Sequence, residues 1–502
     1  MAEAMSPPLF PDSELSECPV PYQITQADIE TARDVREHLL RDPHRPGYHF
    51  VVPEGLAHPA DPNGAIFWRG NVHLGYIYQR HGEHCWGHVS SHDWLHWKHH
   101  LPWLTPTADS PETGIFSGNC FHGNGEAVFL YHGTEQGNSI ATASDHWLEQ
   151  VRKSPANPIV PVQDESGRRT GSQGWSSWDP HGWMDADGTY YGIFGGHTAS
   201  VFKTRNLHST WDHVGDFLAH PLEGVDLHED ISCPDFFPMG DKWVMLCISH
   251  ELGCRYYIGE WRNEQFYPEY HEQMSWVDNG WFAPESLLDD KGRRIMWAWA
   301  RDERDRETEQ PASGWSGTFT FPSVMVMDKG RIHLQPIEEL QDITYGGDNR
   351  RLTLENGSDV LVDGLHNRQI DICAWFMPKD AHRFGVTVCR SPGGEEQTVV
   401  GVDLREQVLF IDTTRSSETL GRRTVEKAPL PDYQAAQLQE DGGMLLRVIA
   451  DNSIVEAFAG GTQAMRRMYP TRTDSDMISY WAEGGTCELD TAATEVKRTN
   501  HH

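Results

Sequence analysis

The 502-residue sequence contains no run of 18 or more apolar residues, so no membrane-spanning helix is predicted. Near the N-terminus it lacks a basic segment followed by an apolar one, and we therefore expect no secretory signal and a cytoplasmic protein. Positive charge is scarce, because 41 Lys and Arg face 74 Asp and Glu, for a net charge of −33. This charge repels polyanions and argues against nucleic acid and anionic membranes as partners.

Paired cysteines are also missing. The nine Cys residues form no CxxC pair, and Cys247, Cys373 and Cys389 lie in apolar segments. The sequence therefore predicts reduced, buried thiols rather than a disulfide framework or a zinc site.

Two further features are interpreted as structural. A histidine-rich run falls on a predicted turn and edge strand, which favours a solvated edge over a metal site, so no metal or other cofactor is expected. Glu456 falls in a predicted strand near the C-terminus and is interpreted as structural. The histidines of the run are His92, His96, His99 and His100.

Long amphipathic helices are few, whereas short apolar segments are many. The clearest helix candidate is ITQADIETARDVREHLLRD, residues 24–42, whose apolar residues recur at three- and four-residue steps. Elsewhere short apolar runs alternate with turn residues, as in GAIFWRGNVHLGYIY, TYYGIFGG and KWVMLCIS. The pattern predicts an all-β protein after a short N-terminal helix.

The β segments divide into two regions. A polar turn followed by an edge strand recurs at intervals of roughly 55 residues, and with residues 295–327 this makes five units. We predict a five-bladed β-propeller over residues 45–335, closed by pairing of its last strands with its first, after an N-terminal extension of residues 1–44. Beyond LQPIEEL the strands alternate without this repeat, which predicts an antiparallel β-sandwich over residues 350–498 and a linker between Gln335 and Asn349.

Acidic residues stand at the starts of three predicted blades. Asp61 precedes a Pro-Asn-Gly turn, Asp179 lies in SSWDPHG and Asp235 lies in ISCPDFF. A single Asp-Pro often marks only a turn, but innermost propeller strands face one axial funnel, so recurrence at blade starts predicts a shared site. Carboxylates in an aromatic-lined funnel suit glycosidic bond cleavage, where one attacks or stabilises the anomeric centre and another acid protonates the leaving oxygen.

A series of motifs in fixed order resembles glycoside hydrolase family 32, the invertase, inulinase and levanase family. It runs from HFVVPEGLAHPADPNGAIFW through GIFSGNCF, WDPHGW, SCPDFF and FAPES to LRVIADNSIVEAFAGG, covering nearly all of the chain from His49 onward. The resemblance implies the propeller, the sandwich and retaining hydrolysis of β-fructofuranosides, with a small carbohydrate as substrate. It also implies that Asp61 is the nucleophile and that Asp179 stabilises the transition state.

The same motifs imply a set of substrate-binding residues. For each of its aromatic members, packing between blades is the default interpretation, and Trp86 and Phe116 gain support for sugar stacking because they lie in the pocket motifs of the family. The expected set is Asn63, Trp86, Phe116, Ser117, Trp178, Ser232, Asp235 and Trp281.

The chain departs from the family pattern at three points. His58-Pro59-Ala60 stands where the family has Trp-Met-Asn, and Ile77 stands where it has Gln, which removes two amides expected at the sugar. Ser232 stands where the acid/base glutamate is expected. A serine hydroxyl cannot act as a general acid near neutral pH without another donor behind it.

Two carboxyl groups are candidates for the missing acid. Glu285 in FAPES, assigned to the start of the fourth blade, would be a relocated acid, with Ser232 left to bind a sugar hydroxyl or water. Glu229 is the rival, although an odd offset from Ser232 points it to the opposite face of the strand unless the strand begins after Glu229. Hydrolysis of another furanoside or of an unusual fructose linkage such as a difructose anhydride is an alternative, and a noncatalytic glycan-binding propeller is another. The sequence leaves the oligomeric state open.

Overall fold

The computed structural model describes residues 25–108, 110, 112–162, 175, 177–431, 438 and 442–499. The chain up to Pro43 forms a unit of its own, and the first 24 residues of the predicted extension lie outside the described residues. Helix α1 (Gln26–Arg41) confirms the predicted helix and begins with a capping box in which Thr25 and Asp28 bond each other's backbone N–H. No described helix is long and apolar enough to cross a membrane.

The region from Pro62 to Pro336 forms five antiparallel sheets, which confirms the predicted five-bladed propeller. The described residues of this region also form a short helix, α2 (Glu309–Ser313). In chain order the blades consist of β1 (Pro62–Trp68), β2 (Asn71–Arg80), β3 (Glu83–Ser91) and β4 (Trp97–His99); β5 (Ile115–His122), β6 (Ala127–Gly133), β7 (Gly137–Ala143), β8 (Arg152–Lys153) and β9 (Val160–Pro161); β10 (Pro180–Met184), β11 (Tyr190–Phe194), β12 (Ser200–Thr204) and β13 (Asp212–Asp216); β14 (Ser232–Met239), β15 (Lys242–Ser249), β16 (Gly253–Arg262) and β17 (Gln265–Gln273); and β18 (Trp281–Leu288), β19 (Arg294–Ala300), β20 (Thr318–Phe319), β21 (Ser323–Asp328) and β22 (Arg331–Pro336).

The innermost strands β1, β5, β10, β14 and β18 contact one another in that order, and β18 returns to β1. The propeller is closed by residues 50–52, which precede β1 and pair with β20 of the last blade. The Val52 N–H donates to the Gly317 carbonyl at 2.8 Å, and the Phe319 N–H donates to the Phe50 carbonyl at 3.0 Å. The predicted closure therefore uses residues 50–52 rather than the first blade itself.

Four of the five innermost strands contain an irregularity in register near their first residues. Within them, Gly64, Cys233 and Ala283 have φ values of 60°, 46° and 48°. Two of these residues carry side chains in a conformation that favours glycine, and such bulges re-aim side chains at the end of a strand. The register shifts lie between Asn63 and Ile66, Phe116 and Gly118, Ser232 and Asp235, and Phe282 and Glu285.

The C-terminal region is a sandwich of two six-stranded antiparallel sheets around a buried apolar core, as predicted. The linker is shorter than predicted, because a 3-10 helix (Glu338–Ile343) leads directly into a first strand that begins at Thr344. One sheet contains β23 (Thr344–Leu354), β34 (Cys487–Val496), β25 (Gln369–Pro378), β30 (Met444–Asp451), β31 (Ile454–Ala459) and β32 (Thr462–Arg467), and the other contains β24 (Ser358–Leu361), β33 (Met477–Glu483), β26 (Arg383–Arg390), β27 (Gln397–Asp403), β28 (Val408–Arg415) and β29 (Val425–Pro429).

The histidine-rich run is only partly a solvated edge. His92, His96 and His99 are exposed, but His100 is buried, bonds Ser90 Oγ at 2.7 Å and stacks on a neighbouring histidine ring. Its prediction as a solvated residue is wrong, because its ring lies between His88 of β3 and Glu149, which follows β7 of the second blade. Among the described residues no group of three or more His, Cys, Asp or Glu side chains is arranged to hold a metal ion, and the eight described cysteines are free.

A buried carboxylate of the sandwich holds the segment that closes the propeller. Asp451 accepts hydrogen bonds from the backbone N–H groups of residues 47–49 at 2.7–2.8 Å and contacts His49 Nδ1 at 3.0 Å. Burial alone would lower the pKa of His49, but hydrogen bonds with Asp451 and Glu456 raise that pKa to about 9. The histidine is therefore a buried cation paired with carboxylates.

Glu456 completes this junction from the next strand of the sandwich. One of its oxygens accepts the backbone N–H of Phe321 at 2.7 Å, and the other accepts the Gln463 amide at 2.6 Å. Its buried carboxylate thus bonds the last blade of the propeller, which accords with the structural interpretation of this residue.

We expect Asp451→Asn to lower the free energy of unfolding by about 3–5 kcal/mol. The variant removes the negative charge that pairs with the buried His49 cation, and it places an amide NH₂ group near backbone N–H donors. Chemical denaturation would measure the loss. Asp490→Asn is the control, since its ion pair with Arg351 is exposed and contributes little to stability. Equal stability of the two variants would contradict the role given to Asp451.

Candidate active site

Two carboxylates from different blades face one thiol at the start of the innermost strands. Asp61 immediately precedes β1, Asp179 immediately precedes β10, and Cys233 lies in the bulge of β14. The Cys233 Sγ lies 3.8 Å from Asp61 Oδ2 and 3.5 Å from Asp179 Oδ2. All three side chains are largely buried, so the structure brings together the two acids expected at the sugar.

The carboxylate of Asp61 is fixed through one oxygen. Ser117 Oγ donates a hydrogen bond to Oδ2 at 3.0 Å, whereas Oδ1 is buried and has no hydrogen-bond partner among the described residues. Asn63 bonds the Asp61 carbonyl at 2.9 Å and accepts the Gly118 N–H at 2.9 Å, which ties β1 to β5. Asn63 therefore positions the backbone of Asp61, and Oδ1 is the oxygen left for a reacting atom.

The electrostatics of the pair follow from burial and like charge. Burial raises the pKa of Asp61 to about 7, and the neighbouring charge of Asp179 adds to the rise, against hydrogen bonds from Ser117 and Cys233. Burial also raises the pKa of Asp179, against His132 and the Cys233 N–H, which donates at 3.0 Å. Burial raises the pKa of Cys233 as well, so this residue stays a neutral thiol that can donate a hydrogen bond to either carboxylate.

The serine at the expected acid position belongs to a hydrogen-bonded chain. Ser232 Oγ accepts from Trp178 Nε1 at 3.1 Å and donates to Asp230 Oδ1 at 3.0 Å, and Asp230 Oδ2 lies 2.5 Å from His250 Nδ1. Burial would raise the pKa of Asp230, but the hydrogen bonds from His250 outweigh it and lower this pKa. These hydrogen bonds connect Ser232 through Asp230 to His250, which follows β15.

Sequence reasoning missed Asp230, Cys233 and His250. Alternation along a strand places Asp230 on the same face as Ser232, which was a usable signal. Cys233 stands beside Ser232 in the SCPDFF motif, but only its left-handed backbone turns it toward the carboxylates. His250 is recognisable only once the register is known, because it follows Ile248, the pairing partner of Ser232.

Glu229 points away from this chain. Its Oε1 accepts a hydrogen bond from Ser249 Oγ, and the same hydroxyl accepts the backbone N–H of Leu252 at 2.9 Å. The carboxylate is therefore part of the turn between β15 and β16. Because β14 begins only at Ser232, this turn and not strand alternation sets the direction of Glu229.

Glu285 lies in a second cavity of about 330 Å³, formed further along the same innermost strands, and it belongs to the fifth blade rather than the fourth. Its Oε1 accepts the Ala65 N–H at 3.0 Å. Asp235 lines the same cavity and accepts a hydrogen bond from Ser286 at 2.5 Å. Burial raises the pKa of Glu285 well above its usual range, and the charge of Asp235 adds to this. The structure thus groups these two acids with each other and not with Asp61.

The four expected aromatic contacts divide into two groups. Trp86 has no exposed surface and donates to the Phe116 carbonyl at 3.0 Å, while Trp281 is buried in a cluster that includes sandwich side chains. The prediction that these two rings stack on a sugar is wrong, because packing occupies their faces. Phe116 and Trp178 are partly exposed, and Phe116 packs against His84 with ring centroids 4.4 Å apart.

A five-bladed propeller that presents two buried carboxylates from separate blades at one end of its axis has the architecture and the site of a glycoside hydrolase. The description Glycosyl hydrolases family 32 N-terminal domain matches residues 49–336, and Glycosyl hydrolases family 32 C terminal matches residues 339–498. Together these matches cover most of the chain, which belongs to glycosyl hydrolase family 32.

Relatives of known function are distant in sequence but similar over most of their length. An insoluble beta-fructofuranosidase isoenzyme of Arabidopsis thaliana is 27% identical, over 86% of this chain and 85% of the relative. A sucrose-6-phosphate hydrolase of Salmonella typhimurium is 28% identical, over 62% of this chain and 71% of the relative. Fructan 1-exohydrolase IIa from Cichorium intybus, solved in complex with 1-kestose, superposes with a TM-score of 0.79 at 21% identity, covering 91% and 98% of the chains.

We expect kcat/KM to rise as pH increases through about 7, because a carboxyl group can attack a sugar only when it is ionised and burial raises the pKa of Asp61 to about 7. Asp179→Asn removes a nearby negative charge and should move this acid limb to lower pH. Ser117→Ala removes a hydrogen bond that stabilises the ionised form and should move it to higher pH. Rate profiles of the residual activities would show both shifts, and movement in the same direction would contradict this electrostatic account.

Proposed function

We propose that the protein is a retaining hydrolase of β-fructofuranosides in fructose-containing oligosaccharides, with Asp61 as nucleophile and Asp179 as transition-state stabiliser. The observation that carries the proposal is the pair of buried carboxylates that face Cys233 from separate blades. Membership of family 32 and relatives named for sucrose-6-phosphate and β-fructofuranoside hydrolysis support the reaction class.

Asp61 performs the first step in this proposal. Ser117 and Cys233 hold Oδ2, so Oδ1 attacks the anomeric carbon and forms a covalent ester with the sugar. The bond to the leaving oxygen breaks as this ester forms. Water then attacks the same carbon and returns the electron pair to Asp61, so the configuration is retained.

Asp179 stabilises the positive charge that develops on the furanose ring. Its carboxylate is buried beside the nucleophile, where the low dielectric strengthens an interaction with an oxocarbenium-like ring. The backbone N–H of Cys233 fixes one of its oxygens at 3.0 Å, so the carboxylate need not reorganise as the charge appears.

A second candidate substrate class is a different furanoside or an unusual fructose linkage such as a difructose anhydride. The observation that favours it is that Ala60 and Ile77, which stand where the family pattern has amides, are completely buried and carry no polar side-chain group. The sugar ring therefore lacks the two amides that the family pattern places there.

Hydrolysis of sucrose, inulin, levan oligosaccharides, difructose anhydrides and aryl furanosides, followed by NMR of the first-formed anomer, tests both candidates. Retained configuration with the highest kcat/KM on sucrose or a fructo-oligosaccharide supports the proposal. The highest kcat/KM on an anhydride selects the second candidate, and an inverted product contradicts a covalent intermediate on Asp61.

We expect Asp61→Asn to keep the fold and sugar binding but to lose about three or more orders of magnitude in kcat, because covalent catalysis supplies that much of the rate. Circular dichroism and calorimetric titration with substrate would check the folded, binding-competent state. Asp185→Asn, at an exposed aspartate after β10, is the control and should retain full activity. Near-normal turnover in Asp61→Asn would rule out the nucleophile assignment.

For Asp179→Ala we expect kcat to fall far more than KM rises, because its interaction strengthens as charge develops in the transition state. Steady-state kinetics on the best substrate of the panel would separate the two parameters. A change in KM alone would show that Asp179 binds the ground state only.

A further inference from the structure

Cleavage of a natural fructoside needs a proton for the leaving oxygen, since an alkoxide is a poor leaving group. Neither carboxyl group considered from the sequence faces the Asp61–Asp179 pair, because Glu229 is bonded into a turn and Glu285 lies in the second cavity. Burial raises the pKa of Cys233 well above its usual range, which makes this thiol a poor proton donor. The donor must therefore be sought along the chain of groups that begins at Ser232.

These hydrogen-bonded groups lie at the end of the pairing between β14 and β15. Ser232 pairs with Ile248, so Asp230 and His250 meet just beyond the paired ends of the two strands. Asp230 Oδ2 lies 2.5 Å from His250 Nδ1 and also accepts the His250 backbone N–H at 3.2 Å. Two contacts to one oxygen fix both the backbone and the ring of the histidine. Because Nδ1 faces Asp230, Nε2 lies on the other side of the ring.

His250 combines this anchoring with access to solvent. Its side chain is 54% exposed, whereas Asp230 is buried, so a sugar arriving from solution can reach the ring. The ring packs edge-on against Phe282, which lies at the bulge of β18 on the neighbouring blade, with centroids 5.8 Å apart. The charge of His250 also acts on Asp61, whose pKa it lowers after the larger effects of burial and Asp179. The histidine thus belongs to the end of the funnel where Asp61 lies.

We propose that His250, held by Asp230, is the acid/base residue of this hydrolase and takes the place of the carboxylic acid missing at Ser232. The inference rests on the proposed function. As Asp61 attacks, the imidazolium gives its Nε2 proton to the leaving oxygen and the glycosidic C–O bond breaks. In the second step the neutral imidazole takes a proton from the attacking water, the ester to Asp61 breaks, and the imidazolium is restored.

Asp230 is a positioning residue in this scheme. Its low pKa keeps it ionised, so it stabilises the imidazolium and fixes the ring without donating a proton itself. Ser232 bonds its second oxygen and links it to Trp178, the neighbour of Asp179. Side-chain hydrogen bonds therefore connect His250 through Asp230 and Ser232 to Trp178, which adjoins Asp179 in the sequence.

The test compares two leaving groups in His250→Ala and His250→Asn. The asparagine keeps a group that can bond Asp230 but carries no transferable proton. On sucrose or 1-kestose we expect kcat to fall by about 10²–10⁴-fold, the usual contribution of general acid catalysis. On an activated aryl fructofuranoside, whose leaving group needs no proton, kcat/KM should fall by less than about tenfold, and azide should speed the second step and give a fructosyl azide.

His228→Ala is the matched control. His228 is an exposed histidine two residues before Asp230, and it bonds Thr198 instead of Asp230. This variant should leave both rates unchanged. Equal losses on the two substrates in both His250 variants, or unchanged turnover of natural sugars, would overturn the inference. Full activity of Asp61→Asn, or no hydrolysis of any furanoside by the unaltered protein, would instead overturn the proposed function.

Asp230→Asn supplies a readout that a merely structural role would not move. We expect the same preference for the activated leaving group, with a smaller loss on natural sugars than in the His250 variants, since the ring is still present but loses its anionic partner. Uniform loss on both substrates would show that Asp230 maintains the fold of the segment only, and would overturn its positioning role.

Discussion

Two like charges buried on either side of one thiol are the constraint on which the rest of this molecule depends. Burial raises the pKa of both Asp61 and Asp179. Hydrogen bonds from neighbouring donors partly offset this rise, because they stabilise the ionised carboxylates. Cys233 contributes to both, through its thiol and through its backbone N–H, and it does so from a left-handed conformation at a bulge. A propeller provides what such a pair requires, because separate blades bring donors and acceptors to one axis while the backbone of each strand stays bonded in its own sheet.

The same strands make two different chemical environments along one axis. Moving two residues from Cys233 to Asp235 advances the strand by about 7 Å, which is enough to leave the carboxylate pair and enter the second cavity. There Asp235 and Glu285 share the cavity lining with Arg294, whose charge lowers the pKa of both acids against the larger, raising effect of burial. A carboxyl gained at a blade start is therefore not interchangeable with one lost at another, because its depth along the strand decides which end it faces.

The sequence was sufficient for the architecture and for the residues that stand at the ends of blades. Strand alternation, the repeat and ordered motifs located the helix, the propeller, the sandwich, Asp61 and Asp179. It was insufficient where pairing register or side-chain burial decides. The predicted linker includes TYGGDN, the polar first six residues of β23 with two glycines, although β23 pairs with β34 on both sides of a register shift between Tyr345 and Asp348. Trp86, Trp281 and His100 carried the right chemistry for a surface role, but three-dimensional packing encloses them.

The hydrogen bonds of Asp451 and Glu456 to the propeller have a consequence for any exchange of the C-terminal domain. Asp451 bonds the segment just before the closing strand, and Glu456 bonds Phe321 just after the strand with which that segment pairs. The strand pairing that closes the propeller is thus held on both sides by hydrogen bonds from the sandwich. Exchange of the C-terminal region for an unrelated sandwich would remove both carboxylates, and the closing segment and the last blade would lose these hydrogen bonds together.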